Sequence, residues 1–130
     1  MKEISGGVCA AQGFTANGIH CGIRKNRARR DLALIYSATP AHAAAVYTTN
    51  LVKGAPLEVT RRHLQDGKAQ AILCNSGNAN TCNANGIEIA EGMCSLVEQY
   101  IGVKAEDVIV ASTGCLLYTS PSPRDRSLSR

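Results

Sequence analysis

The sequence predicts an α/β fold, because it combines largely apolar runs of strand length with one long amphipathic helix. The apolar runs are residues 32–36, 69–74 and 108–111, and such runs are typical of strands covered on both faces. The helix follows Gly86, where apolar side chains recur at steps of three and four: Ile87, Ala90, Cys94, Val97 and Ile101. The order of strand, helix and strand indicates alternating α and β layers.

The sequence pattern of residues 8–49 predicts several strands. Residues 8–11 and 19–23 are short apolar pieces, and we expect them to form a hairpin around Asn17-Gly18, since Asn-Gly favours positive φ. The strand at residues 32–36 is expected to end at Thr39-Pro40. Residues 43–49 predict a further strand, because their β-branched and aromatic end outweighs three alanines.

The second half predicts two helices and two strands. Pro56 suits the first turn of a helix, and residues 57–64 keep helical spacing up to Asp66-Gly67. The strand at residues 69–74 is expected to run into a polar loop at residues 75–80. Gly102 is expected to end the long helix, and the last strand leads to a turn at residues 112–114.

A boundary falls after Gly114. Residues 1–114 suit one small domain or part of a larger one. Residues 115–130 are rich in Ser, Pro and Arg, and the codons CTC TTA TAC ACA TCT CCG AGC CCA CGA GAC, which resemble a sequencing-library adapter, translate to residues 116–125. We expect a non-native, disordered tail there, excluded from fold reasoning; the alternative is a natural disordered tail.

Charge gives little support for a nucleic-acid partner. The tail contains three arginines and one aspartate: Arg124, Arg126, Arg130 and Asp125. When the tail is excluded, the formal net charge falls from +4 to +2. The basic cluster at residues 24–30 favours a surface turn; a phosphate-binding patch is the alternative, but no aromatic side chain interleaves with it. Apolar runs stay far below the roughly 20 residues of a membrane span, so we expect a soluble, cytoplasmic protein and no membrane partner.

Cysteines and histidines give no strong metal or catalytic signal. Residues 1–114 contain five cysteines with no Cys-x-x-Cys spacing, and the adjacent pair His20-Cys21 is poorly placed to share one metal ion. Buried or half-buried thiols in a reducing compartment are expected instead. His20, His42 and His63 are interpreted as surface or packing residues.

Two polar segments follow apolar strands and are the candidate site. Ser112-Thr113-Gly114 offers a hydroxyl and backbone N–H groups that could stabilise an oxyanion in acyl transfer, although such residues are common in turns. The loop at residues 75–80 could hold a substrate carboxylate or a catalytic water; the alternative is that it satisfies local backbone groups. Ser76 lacks the Gly-x-Ser-x-Gly context of a nucleophile.

Residues 1–114 contain a series of short motifs in a fixed order: Gly6-Gly7-Val8, Gly13-Phe14, Gly18-Ile19, Gly22-Ile23, Asp31-Leu32-Ala33-Leu34-Ile35, Val46-Tyr47-Thr48-Thr49-Asn50, Val52-Lys53-Gly54-Ala55-Pro56, Asn75-Ser76-Gly77-Asn78-Ala79-Asn80 and Ala111-Ser112-Thr113-Gly114. In this order the motifs resemble those of the ornithine acetyltransferases, the bifunctional glutamate N-acetyltransferases/amino-acid acetyltransferases of arginine biosynthesis. The most specific are the Asn-Ser-Gly-Asn-Ala-Asn loop and the Thr-Thr-Asn…Lys-x-Ala-Pro stretch.

The resemblance implies a fragment of a layered α/β/β/α sandwich from a precursor several times longer. That precursor cleaves itself before an internal threonine, whose hydroxyl carries acetyl from N-acetylornithine to glutamate in a ping-pong cycle. Some members also take acetyl-CoA as donor, and no cofactor is implied. Residues 1–114 would be the N-terminal part of the α-segment, the piece that precedes the cleavage site. The implied partners are the two small-molecule substrates and the C-terminal β-segment, in a hetero-oligomer of α- and β-segments.

By the same resemblance, Thr113 and Gly114 form the oxyanion hole. The nucleophile and the other substrate-binding positions lie downstream, and Thr119 and Ser120 do not replace them, so this chain is expected to be inactive alone. Two other functions stay open. They are a self-cleaving aminopeptidase of similar architecture, and a small metal- or nucleic-acid-binding module using His20, Cys21 and residues 24–30.

Overall fold

A four-stranded sheet carries two α-helices on one face. The computed structural model describes residue 3 and residues 5–115. The strands are β1 (Phe14–Ile19), β2 (Leu32–His42), β3 (Lys68–Asn78) and β4 (Val108–Cys115), in that order across the sheet. The helices are α1 (Ala55–His63) and α2 (Gly86–Ile101). Pairing is antiparallel from β1 to β3 and parallel between β3 and β4, so β3, α2 and β4 form a βαβ unit.

Both predicted helices and the three apolar strands are confirmed, and the strands are longer than expected. The strand predicted at residues 32–36 continues through Pro40 to His42, with a break in register between Tyr36 and Ala41 that accommodates the missing proline N–H. Gly102 ends α2 as predicted. The expected tail at residues 116–130 lies outside the described residues.

The predicted N-terminal hairpin is wrong. Residues 7–9 form a short 3-10 turn, and Asn17-Gly18 lies inside β1, paired with Leu34 and Ala33 of β2. The Asn17 side chain accepts a hydrogen bond from the Gly18 N–H at 2.8 Å, which serves an extended backbone as well as a turn. The connection that reverses the chain is the longer loop at residues 20–31, between β1 and β2.

The strand predicted at residues 43–49 is also wrong, since these residues have no regular secondary structure. Val46 is fully exposed. β-branched side chains favour strands because they pack on a half-buried pleated surface, and Val46 has no such surface to pack on.

The hydrophobic core lies between the sheet and the helices. Ala71 and Leu73 of β3 and Val108 and Val110 of β4 face the helices, and their helical partners are buried side chains of α1 and α2: Val59, Ala90, Cys94 and Val97. Thr60 and His63 of α1 hydrogen-bond the backbone of Val110 and Val108, which covers this part of the outer edge of β4.

The opposite face of the sheet is apolar and partly exposed in the described part of the chain. Ile35, Ile72 and Ile109 form one row across β2, β3 and β4, and each is half-buried. A shallow apolar concavity of about 150 Å³ lies beside this row. We call this surface the open face. An apolar sheet face of this kind normally packs against a second layer.

Over the same described residues, no helix combines the length and apolar character needed to cross a membrane.

Candidate functional site

The two polar segments singled out in the sequence lie side by side at one end of the sheet. β3 and β4 are parallel, and Asn75 pairs with Ser112, Ser76 with Thr113, and Gly77 with Gly114. Both segments continue their strands. The loop predicted at residues 75–80 is therefore wrong for residues 75–78 and correct for residues 79–80, and the turn predicted at residues 112–114 is wrong. Parallel pairing nevertheless brings the carboxyl ends of the two strands together, which is a common position for ligand sites in α/β sheets.

Gly77 and Gly114 bring the two backbones into close contact. Both have positive φ, 125° at Gly77 and 131° at Gly114. A Cβ atom on Gly114 would lie 2.6 Å from the carbonyl carbon of Gly77 and 2.7 Å from its nitrogen, shorter than real Cβ contacts. Glycine is therefore required at Gly114 by both its backbone angles and its neighbour.

Ser112 and Thr113 point to opposite faces of the sheet, as successive residues of a strand do. Thr113 shares the open face with Ile109 and is exposed. The Ser112 hydroxyl is buried on the helical side and has no hydrogen-bond partner among the described residues. The Thr113 hydroxyl is thus accessible from the open face.

The backbone N–H of Gly114 is directed to the outer edge of β4. Val110 exchanges backbone hydrogen bonds with the Thr60 hydroxyl at that edge, at 3.1 and 3.3 Å. Because backbone groups alternate sides along a strand, Ser112 and Gly114 direct theirs to the same edge. The Thr113 hydroxyl on the open face and the Gly114 N–H at the outer edge therefore belong to adjacent residues at one corner of the sheet, where an oxyanion could accept from both.

Asp31 organises the loop that covers the end of β3. Its buried carboxylate accepts hydrogen bonds from the Cys21 N–H at 2.7 Å and the Arg24 N–H at 2.8 Å, and His20 Nδ1 lies 3.0 Å away. Burial opposes ionisation, but the N–H donors of Arg24 and Cys21 outweigh it and hold the pKa of Asp31 well below its usual range. The Asp31 carbonyl also accepts from the Ser76 N–H at 2.8 Å.

Arg24 extends this loop onto β3. Its guanidinium donates from Nε at 3.0 Å and from Nη2 to the Ser76 hydroxyl. Ile23 and Arg24 lie directly over Gly77, because a Cβ there would be 2.8 Å from Ile23 Cγ2. The surface-turn prediction for residues 24–30 is confirmed for residues 25–30, which are exposed, and wrong for Arg24, which is half-buried.

The asparagines of residues 75–80 satisfy local backbone groups, which confirms the structural interpretation of their side chains. Asn75 donates to the Asn78 carbonyl at 3.0 Å, and Asn78 accepts from the Asn80 N–H at 2.9 Å. Asn80 is buried, has a φ of 49°, and donates to the Gly86 carbonyl at 2.8 Å. Its own carbonyl accepts from the Ala55 N–H, so Asn80 joins the starts of both helices.

A groove of about 350 Å³ lies on the helical side of the same strand ends. Most of its lining is apolar: Ile23, Leu32, Leu73, Ile89, Met93 and Leu96. Its polar groups include Asn75, Asn78 and Asn80, whose side chains are already engaged with backbone or side-chain partners. Because this groove lies on the helical side, the sheet separates it from the Thr113 hydroxyl on the open face.

A second titratable cluster joins α1 to α2 and is a packing arrangement. His63 Nδ1 lies 4.0 Å from Cys94 Sγ, and its Nε2 lies 3.8 Å from a Glu91 oxygen. The Nδ1–H donates to the Val108 carbonyl at 2.9 Å. Burial, with the Glu91 charge, raises the pKa of Cys94 to about 11, so the thiol stays protonated at neutral pH. The packing interpretation of His63 is confirmed.

The other predicted residues lie apart from the strand ends or at their margin. His42 is exposed at the end of β2. His20 has the carboxylate partner, Asp31, that the sequence did not indicate. The described cysteines are free: Cys94 is buried and Cys74 half-buried, but the expectation of burial is wrong for Cys9, Cys21 and Cys82, which are exposed. No group of three or more His, Cys, Asp or Glu in the described ranges is placed to hold a metal ion.

Known proteins share this sequence and this arrangement of strands. A family model described as the ArgJ family matches residues 15–125. The "Arginine biosynthesis bifunctional protein ArgJ" of Caldanaerobacter subterraneus is 44% identical over 117 residues, which is 89% of this chain and 28% of that protein. The chain therefore spans less than a third of the length of this curated relative. The family match continues past Gly114, so the boundary predicted there stays a prediction.

Solved structures agree with the fold. The crystal structure of the arginine biosynthesis bifunctional protein argJ from Bacillus halodurans is similar with a TM-score of 0.80 and 39% identity, over 92% of this chain and 62% of that one. The ornithine acetyltransferase complexed with ornithine from Mycobacterium tuberculosis is similar with a TM-score of 0.74 and 34% identity, over 85% of this chain and 60% of that one.

The sheet, its two helices and the paired strand ends thus define an α/β domain of the class seen in these enzymes, and the predicted α/β fold is confirmed. The extent of the family match and the identity over most of the residues identify the family. The chain belongs to the ArgJ family.

Proposed function

We propose that residues 1–114 are the N-terminal part of an enzyme that transfers acetyl from N-acetylornithine to glutamate, with acetyl-CoA as a further donor. The observation that supports the proposal is that the exposed residues Thr113 and Gly114 are adjacent at the corner between the open face and the outer edge of β4. The names of the relatives, an arginine biosynthesis bifunctional protein and an ornithine acetyltransferase, support the choice of substrates.

In this proposal Thr113 and Gly114 stabilise the oxyanion of acyl transfer. A threonine hydroxyl from the missing part of the precursor attacks the acetyl carbonyl, and the carbonyl oxygen becomes negatively charged. The Thr113 hydroxyl and the Gly114 N–H donate to that oxygen. Collapse of the tetrahedral intermediate breaks the amide bond. The proton lost by the attacking threonine hydroxyl passes to the ornithine nitrogen, ornithine leaves as the amine, and the acetyl group remains as an ester on the threonine. The glutamate amine then attacks the ester through a second oxyanion at the same donors; the ester C–O bond breaks, N-acetylglutamate leaves, and a proton from the glutamate nitrogen returns to the threonine oxygen.

The same proposal makes this chain inactive by itself. Residues 1–114 supply the donors, whereas the nucleophile belongs to the β-segment, the protein partner with which the α-segment assembles into a hetero-oligomer. We place the enzyme in the cytoplasm, because exposed free thiols such as Cys9, Cys21 and Cys82 persist in a reducing compartment.

Transfer of labelled acetyl from N-acetylornithine to glutamate by the full-length precursor tests this function. Thr113→Val removes the hydroxyl and should lower kcat by about 100-fold to 1,000-fold, as loss of one oxyanion donor does. Thr113→Ser keeps the hydroxyl and should retain most activity. Ser112→Ala is the matched control, because that hydroxyl lies on the opposite side of the sheet.

Two results would contradict the proposal. Full activity of Thr113→Val would remove Thr113 from the oxyanion hole. Release of labelled acetate or peptide hydrolysis without N-acetylglutamate would favour the hydrolase alternative, the self-cleaving aminopeptidase.

A further inference from the structure

The Ser76 hydroxyl has a proton to donate and no acceptor in the described part of the chain. A hydroxyl carries two lone pairs and one O–H donor. Arg24 Nε–H and Nη2–H both donate to Ser76 Oγ, which occupies the lone pairs. The Ser76 O–H is therefore left to donate outward, and its bonds to a cation make it a stronger donor.

Arg24 itself lacks a carboxylate partner among the described residues. None of the ion pairs between described residues includes it. The nearby carboxylate of Asp31 accepts from the Arg24 backbone N–H, and its remaining contacts are with Cys21 and His20. Arg24 is half-buried, and within the described residues it has unused N–H donors and no counter-charge. Such a guanidinium favours an anion, and its planar donor geometry matches a carboxylate.

Arg24 and Ser76 lie one strand away from the proposed oxyanion hole. Ser76 pairs with Thr113 in register, so the two side chains are neighbours on the open face. Adjacent strands are about 4.8 Å apart. In N-acetylornithine and in glutamate, the α-carboxylate is attached to the carbon that bears the reacting nitrogen. A carboxylate bound at Ser76 would thus place that nitrogen beside Thr113 in either half-reaction.

We propose that Arg24 and Ser76 bind the α-carboxylate of the amino-acid substrate. Ser76 donates its hydroxyl proton to one carboxylate oxygen, and the Arg24 guanidinium compensates the negative charge. This inference rests on the proposed function, because it uses the position of the oxyanion hole. It assigns one anion site to both the donor and the acceptor amino acid, which alternate in a ping-pong cycle.

Calorimetric binding of ornithine and putrescine to the full-length precursor tests the inference. Putrescine is ornithine without its carboxylate, so the pair isolates that group. Arg24→Met and Ser76→Ala should each weaken ornithine binding by about 10-fold to 100-fold, the range for a hydrogen bond to a charged group, and leave putrescine binding unchanged. In a double variant the two losses should be less than additive, since both residues act on one carboxylate.

Conservative variants and a control keep the test interpretable. Ser76→Thr retains the hydroxyl and should retain the affinity for ornithine. Arg24→Lys loses the bidentate contact to Ser76 and should weaken the binding of ornithine several-fold. These variants also serve if Arg24→Met does not fold. Ser112→Ala removes a hydroxyl on the helical side and should change the binding of neither ornithine nor putrescine.

Unchanged ornithine affinity in Arg24→Met and Ser76→Ala, or equal losses for ornithine and putrescine, would overturn the carboxylate site. Such a result beside normal acetyl transfer would leave the proposed function intact. Selective loss of ornithine binding in an enzyme that transfers no acetyl would instead support the site and contradict the function.

Discussion

Replacement of Gly114 by alanine should be among the most damaging small substitutions in this domain. The added methyl group would lie 2.6–2.8 Å from three backbone atoms of Gly77, which cannot move aside as the end of a flexible side chain can. The φ of 131° at Gly114 is also unfavourable for any residue with a Cβ. Both effects act at the contact between β3 and β4 that forms the candidate site.

The two effects give a substantial destabilisation. A strained backbone conformation costs about 1–3 kcal/mol. Overpacking against fixed atoms costs a similar amount, about 1–3 kcal/mol. We therefore expect Gly114→Ala to lower the free energy of unfolding by about 2–6 kcal/mol, a large part of the 5–15 kcal/mol typical of a domain.

Urea denaturation of the full-length precursor, with two glycine controls, measures this effect. Gly102 has a positive φ of 80° but no atom within 4 Å of a Cβ, so Gly102→Ala should cost about 1–2 kcal/mol from strain alone. Gly92 lies within α2 and also has open space, so Gly92→Ala should stabilise by about 0.5–1 kcal/mol. The reasoning is refuted if Gly114→Ala costs no more than Gly102→Ala.

Other predictions concern single contacts and the chain as a whole. Thr60→Val removes the hydroxyl that bonds both backbone groups of Val110, and should cost about 1–3 kcal/mol by urea denaturation, while Thr60→Ser should be milder. Asp31→Asn should lower the free energy of unfolding at neutral pH. The pKa of Asp31 is lower in the folded than in the unfolded protein, so its carboxylate contributes its full stabilisation above the unfolded pKa of about 4. That stabilisation is lost as the pH falls towards the folded pKa. Urea midpoints of both proteins should therefore converge in acid, and a gap independent of pH would contradict this. Cys94 should react with iodoacetamide far more slowly than exposed Cys82, as mass spectrometry of the folded protein can show, and equal rates would contradict its burial. The 130-residue chain alone should aggregate, because the row of isoleucines on the open face stays partly exposed; a cooperative, monomeric unfolding transition by circular dichroism would count against this.

Elements with a strong local pattern could be predicted from the sequence. The periodicity of α2 and the apolar run of β4 report burial directly, because a face that packs on the core must repeat with the period of its element. The errors arise where pairing is not local. Asn17-Gly18 has the composition of a turn but pairs with β2 instead, across a loop whose folding depends on the buried carboxylate of Asp31.

Individual residues of the candidate site could be selected from the sequence, but their positions next to one another could not be predicted. Thr113 and Gly114 could be selected because they follow an apolar strand, and Ser76 because it lies in a polar segment after another strand. Their adjacency depends on the register of the parallel pairing between β3 and β4, and no local pattern encodes that register. The role of Arg24 could not be predicted, because the sequence of residues 24–30 does not distinguish it from the other basic residues of that cluster. The signal that could have found it was the lone acidic residue Asp31 directly before the apolar run of residues 32–36, since a carboxylate buried at such a position needs donors nearby.

The central claim is that residues 1–114 belong to a longer acetyltransferase precursor. Sequencing genomic DNA across the Gly114 codon, with primers in flanking genomic sequence, tests it most directly. The account predicts that the reading frame continues past Gly114 into a polypeptide with an internal Ala-Thr cleavage site. If the codons for residues 116–125 are instead genomic and the reading frame ends after Arg130, the claim is contradicted, and a non-catalytic role for this domain would have to be sought.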